Sequence, residues 1–130
     1  MINFLKKLYY EKYSKKSYSL SNVDLIIDRM FSKIKKGYYI DLGCNHPIKF
    51  NNCYILYKRG WRGINIDLDK NCIDEFNKLR NEDYNFQSVV SSKSDLEKSI
   101  YIYHPRSAIN TISDELIKYR NTDKDKIKII

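Results

Sequence analysis

Glycine and proline are scarce in this chain. Four glycines and two prolines among 130 residues argue against a disordered or low-complexity sequence. Cysteine is sparse too: Cys44, Cys53 and Cys72 have neither CxxC nor Cys-His spacing, so the sequence offers no zinc framework. Their odd number, in a chain without an export signal, fits reduced cytosolic thiols. No segment reaches the ~20 apolar residues that span a bilayer. No apolar stretch precedes a small-residue cleavage site. A cytoplasmic protein without a transmembrane segment is therefore expected. The chain also lacks internal repeats and a clear interdomain linker, and its length bounds it to one domain.

What the chain does contain is enough apolar material for a core, 42% of residues with twelve tyrosines among them. Its most informative stretch runs from Gly37 to Asp69 and reads as strand, polar loop, helix, strand and acidic residue. Tyr38 to Leu42 has the look of a short buried parallel strand ending at Gly43. Cys44, Asn45, His46 and Pro47 follow, small or polar residues suited to a sharp exit that exposes backbone N–H groups. Pro47 is placed to open a helix. Phe50, Cys53, Tyr54 and Tyr57 recur at helical spacing, and the helix ends at Gly60. A Trp61-Arg62-Gly63 turn leads into a second strand, Ile64 to Leu68, with Asp67 near its carboxyl end.

Asp67 lies about 20 residues beyond Gly43, the separation at which an acidic side chain meets ribose hydroxyls in nucleotide-binding crossovers. A carboxylate accepts two hydrogen bonds from a vicinal diol. GxGxxG is absent, because Asn45 stands where a second glycine would be, so a pyrophosphate has a weaker claim than a ligand without phosphates. S-adenosylmethionine is such a ligand. The alternative reading is an ordinary αβ repeat in which Asp41 caps a turn and Asp67 is merely solvated.

The run IDLGCNHP, from Ile40 to Pro47, followed by FNNCYILYKRGWRGINID, from Phe50 to Asp67, resembles the FkbM-type class I methyltransferases. The segment SAINTISDEL, Ser107 to Leu116, is similar to a Ser-, Asn- and Thr-rich stretch at the corresponding place in that family. The resemblance implies a Rossmann-like parallel sheet with flanking helices, S-adenosylmethionine as cofactor, and methyl transfer to a hydroxyl of a sugar or other small acceptor. It assigns Asp41, Gly43 and Asn45 to the methionine end of the cofactor and Asp67 to the ribose. Cys44 and Leu68, their neighbours in the same segments, join the cofactor-binding set. A third strand from Asn85 to Val90 would place Val90 and Ser91 near the adenine. The family's further strand with a Lys-Ile-Asp-x-Glu-Gly pattern has no counterpart here. The expectation is the first half of such a domain over residues 37–130, apparently truncated, with a partner chain as one way to complete the sheet.

Residues 1–36 read as a separate helical segment. Ile2, Leu5, Leu8 and Tyr9 recur at helical spacing among lysines, and Ser21 or Asn22 is placed to cap a second helix from Val23 to Lys36. Its stripe is Ile26, Ile27, Met30, Phe31 and Ile34. The first helix suits either packing on the sheet or a basic membrane-surface segment. Serine, lysine and charge at Ser91 to Lys98 and Asn121 to Lys128 read as solvated loops, while the apolar alternation Ile127-Lys128-Ile129-Ile130 reads as a last strand.

A net charge of +8 makes nucleic acid, anionic lipid or acidic glycan physically available as partners. The Tyr-Lys alternation from Tyr9 to Tyr18 fits base stacking between phosphate contacts, but it fits a solvated helix face as well. The spread of lysines over the chain favours the solvated face over nucleic acid. Cys44 suits packing better than nucleophilic attack. His46 is the candidate base on a substrate hydroxyl, with a helix cap as its other role, and Arg106 to Thr111 are candidates for polar contacts to the acceptor. Catalytic residues are otherwise unassigned, and no metal ligand set is expected.

Overall fold

The computed structural model of the chain describes residues 2–92, 98–104, 106–107, 109–120 and 125–129. In chain order the elements are α1 (Ile2–Tyr13), α2 (Val23–Met30), β1 (Tyr38–Leu42), α3 (Tyr54–Lys58), β2 (Arg62–Asp67), α4 (Lys70–Leu79), β3 (Tyr84–Gln87), β4 (Lys98–Ile102), α5 (Asp114–Arg120) and β5 (Asp125–Ile129). The fold is α/β. Three strands form a parallel sheet in the order β1-β2-β3, flanked by helices. In the β2–β3 register Ile64 stands opposite Tyr84 and Asp67 opposite Gln87. Among the described residues no helix is long and apolar enough to cross a membrane.

Contacts divide the chain into two compact units. One comprises residues 1–39 and 48–62, the other residues 40–47 and 63–130. The core of the first unit gathers Tyr39, Ile55, Leu56 and Trp61, with Tyr18, Leu25, Ile27, Cys53 and Tyr57 packed around them. Trp61 explains Gly37: a Cβ there would lie 2.6 Å from the indole ring, so only glycine lets the chain pass.

The helices of this unit are shorter than their sequence patterns predict, for identifiable reasons. Helix α3 begins at Tyr54, not at Pro47 or Phe50, because Phe50 adopts a left-handed φ of 57° and Asn51 Oδ1 accepts the Cys53 N–H at 3.0 Å, an Asx turn that delays the helix. It stops where expected. Gly60, at φ 88°, lets Trp61 N–H reach back to Leu56 O and Gly60 N–H to Tyr57 O, a Schellman closure. Helix α2 ends at Met30 instead of Lys36. Arg59 donates to the carbonyls of Phe31 at 2.8 Å and Ile34 at 2.7 Å and to the Asp28 carboxylate at 2.9 Å, so these carbonyls are satisfied outside a helix. Asn22 occupies the position before α2 but makes no side-chain cap. Of the predicted α2 stripe, Ile27 packs on the core, whereas Ile26, Met30 and Ile34 are exposed.

In the second unit α4 starts at Asp69, whose carboxylate accepts Asn71 N–H at 2.9 Å, and its inner stripe of Cys72, Ile73 and Phe76 is buried. Cys44, Ile73 and Phe76 form a second core cluster. At the amino end of β2 a buried polar network replaces apolar packing. Asp83 accepts Gly63 N–H at 2.8 Å, Asn65 Nδ2 at 3.0 Å and Arg80 Nε at 3.0 Å, while Arg80 Nη1 donates to Pro47 O at 3.3 Å. Strand β2 begins two residues before the predicted Ile64. Strand β3 ends at Gln87, so Val89 and Val90 leave the sheet as a loop.

Residues 125–128, whose charge suggested a solvated loop, belong with Ile129 to β5 (Asp125–Ile129), paired antiparallel with β4 from Lys98↔Ile129 to Ile102↔Asp125. The alternation Ile127-Lys128-Ile129 is that of a strand and outweighs the charge that suggested a loop. Of the first expected loop, Ser91 and Ser92 lie outside any helix or strand and Lys98 instead opens β4, while residues 93–97 and 121–124 lie outside the described residues.

Candidate functional site

A cavity of about 300 Å³ opens at the carboxyl ends of the three strands, within the second unit. One wall comes from the end of β1 and its loop (Leu42, Gly43, Asn45), the floor from Ile66 to Asp69 and Cys72, a second wall from Ser88 to Val90, and the last from Arg106, Ser107 and Asn110 to Ile112. This is where ligands sit in open α/β sheets, since the loops diverge there and leave a crevice.

The loop after β1 is shaped by backbone conformation. Gly43 at φ 70° and Asn45 at φ 52° both occupy the left-handed region. Gly43 and Cys44 donate their N–H groups to Ile66 O at 2.9 and 3.2 Å, which ties the loop to β2. Asn45 N–H then reaches Asp67 Oδ2 at 2.9 Å, and Asp69 N–H reaches Asp67 Oδ1 at 2.9 Å. Asp67 thus holds the two loops of the site in position. It is largely buried, and each of its oxygens keeps a second lone pair for a ligand.

Asp69 bridges a longer interval. Its Oδ1 caps α4, and its Oδ2 accepts Arg106 N–H at 2.6 Å. Arg106 also has a left-handed φ, 63°, and its carbonyl accepts Asn45 Nδ2 at 3.2 Å. The wall beyond Arg106 is secured by Tyr101, which exchanges backbone hydrogen bonds with Thr111 at 2.8 and 3.2 Å, and by Asn110, whose Oδ1 accepts Tyr103 N–H at 3.0 Å. A non-glycine outlier held by hydrogen bonds on both sides is stored strain, and it lies at this cavity.

The electrostatics of the cavity are acidic. Asp67 and Asp69 line it, and the one cation among its described lining residues, Arg106, is engaged by Glu75, with Nη2 to Oε1 at 2.6 Å. Such a cavity suits hydroxyl donors or a positively charged ligand and opposes a pyrophosphate.

Of the residues singled out from the sequence, Gly43, Asn45, Asp67, Leu68 and Val90 meet at this cavity. Cys44 and Asp41 are not among its lining residues. Cys44 points into the apolar cluster with Ile73 and Phe76, and burial, with the Asp67 charge next in effect, pushes its thiol pKa far up. That fits the packing role and not a nucleophile. Asp41 is half-buried on β1. His46 does not line the cavity either; its Nε2 lies 4.0 Å from Glu75 Oε2. Ser91 is likewise outside it.

Sequence reasoning missed Asp69, Cys72, Ser88 and Val89. The signal for Asp69 was present, since Asp-Lys-Asn-Cys-Ile after a strand is a helix start with an acidic cap. Burial, together with the Asp67 and Asp69 charges, pushes the Cys72 thiol up to about 12.

Comparison with family models, with curated proteins and with solved structures found no match for the chain. The fold defines its class as far as α/β, with a crevice at the carboxyl ends of the parallel strands.

Proposed function

We propose that the chain binds S-adenosylmethionine in the cavity at the ends of β1, β2 and β3 and acts as a methyltransferase on a hydroxyl of a sugar or other small acceptor. The observation that carries this reading is the convergence on one crevice of the Gly43–Asn45 loop, Asp67 and Val90, residues distant in sequence. The residues fit the cofactor on three counts. The spare lone pairs of Asp67 suit ribose hydroxyls, Val89 and Val90 offer an apolar edge for a purine, and the acidic lining suits a sulfonium but not phosphates. The cavity size falls at the low end of the range for small-molecule sites.

When bound, the cofactor would supply an activated methyl group to an acceptor hydroxyl. The contribution of the chain is binding and alignment. Asp67 and Asp69 fix the two loops through backbone hydrogen bonds, and the wall of Ser107 and Asn110 to Ile112 is the surface left for an acceptor. Acceptance of the hydroxyl proton falls to solvent in this reading, because His46 stands off the cavity. The resemblance to FkbM-type methyltransferases over Tyr38 to Leu116 supports the same assignment.

A second reading is favoured by one observation. Ile40 and Leu42 of β1 and Tyr84 and Phe86 of β3 are 50–70% exposed, so a largely apolar face of a parallel sheet lies open. Parallel sheets are ordinarily covered on both faces. In this reading the chain is a cofactor-binding fragment completed by a partner chain, and turnover requires that partner. The test is methyl transfer from labelled cofactor to a panel of sugars and small alcohols by the purified chain, beside a cofactor-binding assay. Binding with turnover supports the enzyme. Binding without turnover supports the fragment, and salt-dependent oligonucleotide binding without cofactor affinity would replace both with a nucleic-acid module.

A further inference from the structure

The unit formed by residues 1–39 and 48–62 carries exposed apolar side chains that the proposed activity does not use. On α1, Phe4, Leu5, Tyr9 and Tyr10 are 60–67% exposed, so these four side chains are not buried against protein. On α2, Leu25 and Ile27 face the core, while Ile26 and Met30 line an open apolar groove with Asn22 and Arg29. Ile34 is exposed beyond it. An apolar side of this extent on a helix segment otherwise rich in lysine calls for an apolar environment.

Charge identifies that environment. Residues 1–36 hold nine Lys and Arg against three Asp and Glu, so +6 of the net +8 lies in this segment. Two of the three acids do not reach the surface. Asp24 is fully buried and accepts Ser17 Oγ at 2.6 Å, Tyr18 N–H at 2.6 Å and Leu25 N–H at 2.9 Å. Asp28 is 6% exposed and is held by Arg59 and Lys15. With these two carboxylates turned inward, Lys6, Lys16, Arg29, Lys33, Lys35 and Lys36 among the described residues are all exposed. Apolar side chains among exposed lysines match a surface that is apolar inside and anionic outside, namely the headgroup region of a bilayer with acidic lipids. Nucleic acid would satisfy the lysines but not Phe4, Leu5, Ile26 or Met30. A second copy would satisfy the apolar groups but bring the +6 segments together.

We infer that this basic, apolar N-terminal unit docks reversibly on anionic lipid bilayers, with Phe4, Leu5 and Met30 entering the headgroup boundary and Lys33, Lys35 and Lys36 facing acidic headgroups. The inference stands apart from the cofactor reading. Its test is co-sedimentation of the full chain with phosphatidylcholine vesicles with and without phosphatidylserine, at low and high salt.

Binding is expected only with the acidic lipid and is expected to weaken with salt. Both the Phe4→Ser/Leu5→Ser pair and the Lys33→Glu/Lys35→Glu/Lys36→Glu triple should lower affinity at least about tenfold. All five positions are exposed, so circular dichroism should be unchanged. Three results would overturn the inference: no binding to acidic vesicles, vesicle binding indifferent to both variants, or a dimer in sedimentation equilibrium that the Phe4/Leu5 pair dissociates. Oligonucleotide binding that outcompetes acidic vesicles and ignores the Phe4/Leu5 pair would overturn it as well.

Discussion

The thiols near the crevice are kept unreactive by their surroundings. Burial, followed by the Asp67 charge, raises both Cys44 and Cys72, the latter to about 12. Only the thiolate attacks, so a raised pKa means a low reactive fraction near neutral pH. Cys53, which is less buried, is expected to react first with a disulfide reagent. Labelling at Cys44 and Cys72 should climb roughly tenfold per pH unit while the pH stays below their pKa values. Peptide mapping after timed labelling checks this, and fast neutral-pH labelling of Cys44 would contradict its place in the apolar cluster.

Asp83 belongs to the same scale. It neutralises Arg80 in a fully buried ion pair and also accepts Gly63 N–H and Asn65 Nδ2. Asp83→Ala removes this carboxylate from the buried guanidinium and from Gly63 and Asn65, and a loss of about 3–5 kcal/mol is expected from denaturant titration.

Among the elements, α3 shows how termination is written into single residues. Gly60 at φ 88° permits the closure by Trp61, and Gly60→Ala should cost about 1–2 kcal/mol in urea unfolding, with cofactor affinity unchanged. The stops at Gly43 and Gly60 were legible in the sequence because glycine satisfies each, whereas Trp61, read as part of a turn, is a buried core residue and Arg62 already belongs to β2. The start of α3 was not, because the delay depends on the Asn51 side chain bonding to Cys53 instead of Pro47 opening the helix. Nor was the end of α2, which is set by Arg59, a residue 25 to 28 positions away that captures the carbonyls of Phe31 and Ile34. Strand β5 was legible in part, since the alternation from Ile127 onward read as a strand while the charges of residues 121–128 read as a loop. At the site, Asp67 was singled out from its spacing to Gly43 and Asn45 through the family resemblance, whereas the Arg106–Asp69 link spans 37 positions and leaves no local pattern. Cys44, read as part of the cofactor loop, proves to follow the inward-facing side.

For the whole molecule, the open sheet face is the main physical constraint. Ile40, Leu42, Tyr84 and Phe86 expose apolar surface of a kind that soluble proteins cover or use. The purified chain is expected to bind an environment-sensitive hydrophobic dye or to self-associate through this face. Tyr84→Lys with Phe86→Lys should lower both while leaving the circular dichroism spectrum intact. Unchanged dye fluorescence and association would place the sticky surface elsewhere.

The most direct measurement on the central claim is a calorimetric titration of the full chain with S-adenosylmethionine and with its demethylated product, repeated with Asp67→Ala. The account predicts saturable binding of both and a loss of at least about tenfold in the variant, with NAD as a phosphate-bearing control that does not bind. A folded chain that binds neither compound, or binds them equally well without the Asp67 carboxylate, would contradict the assignment of the crevice.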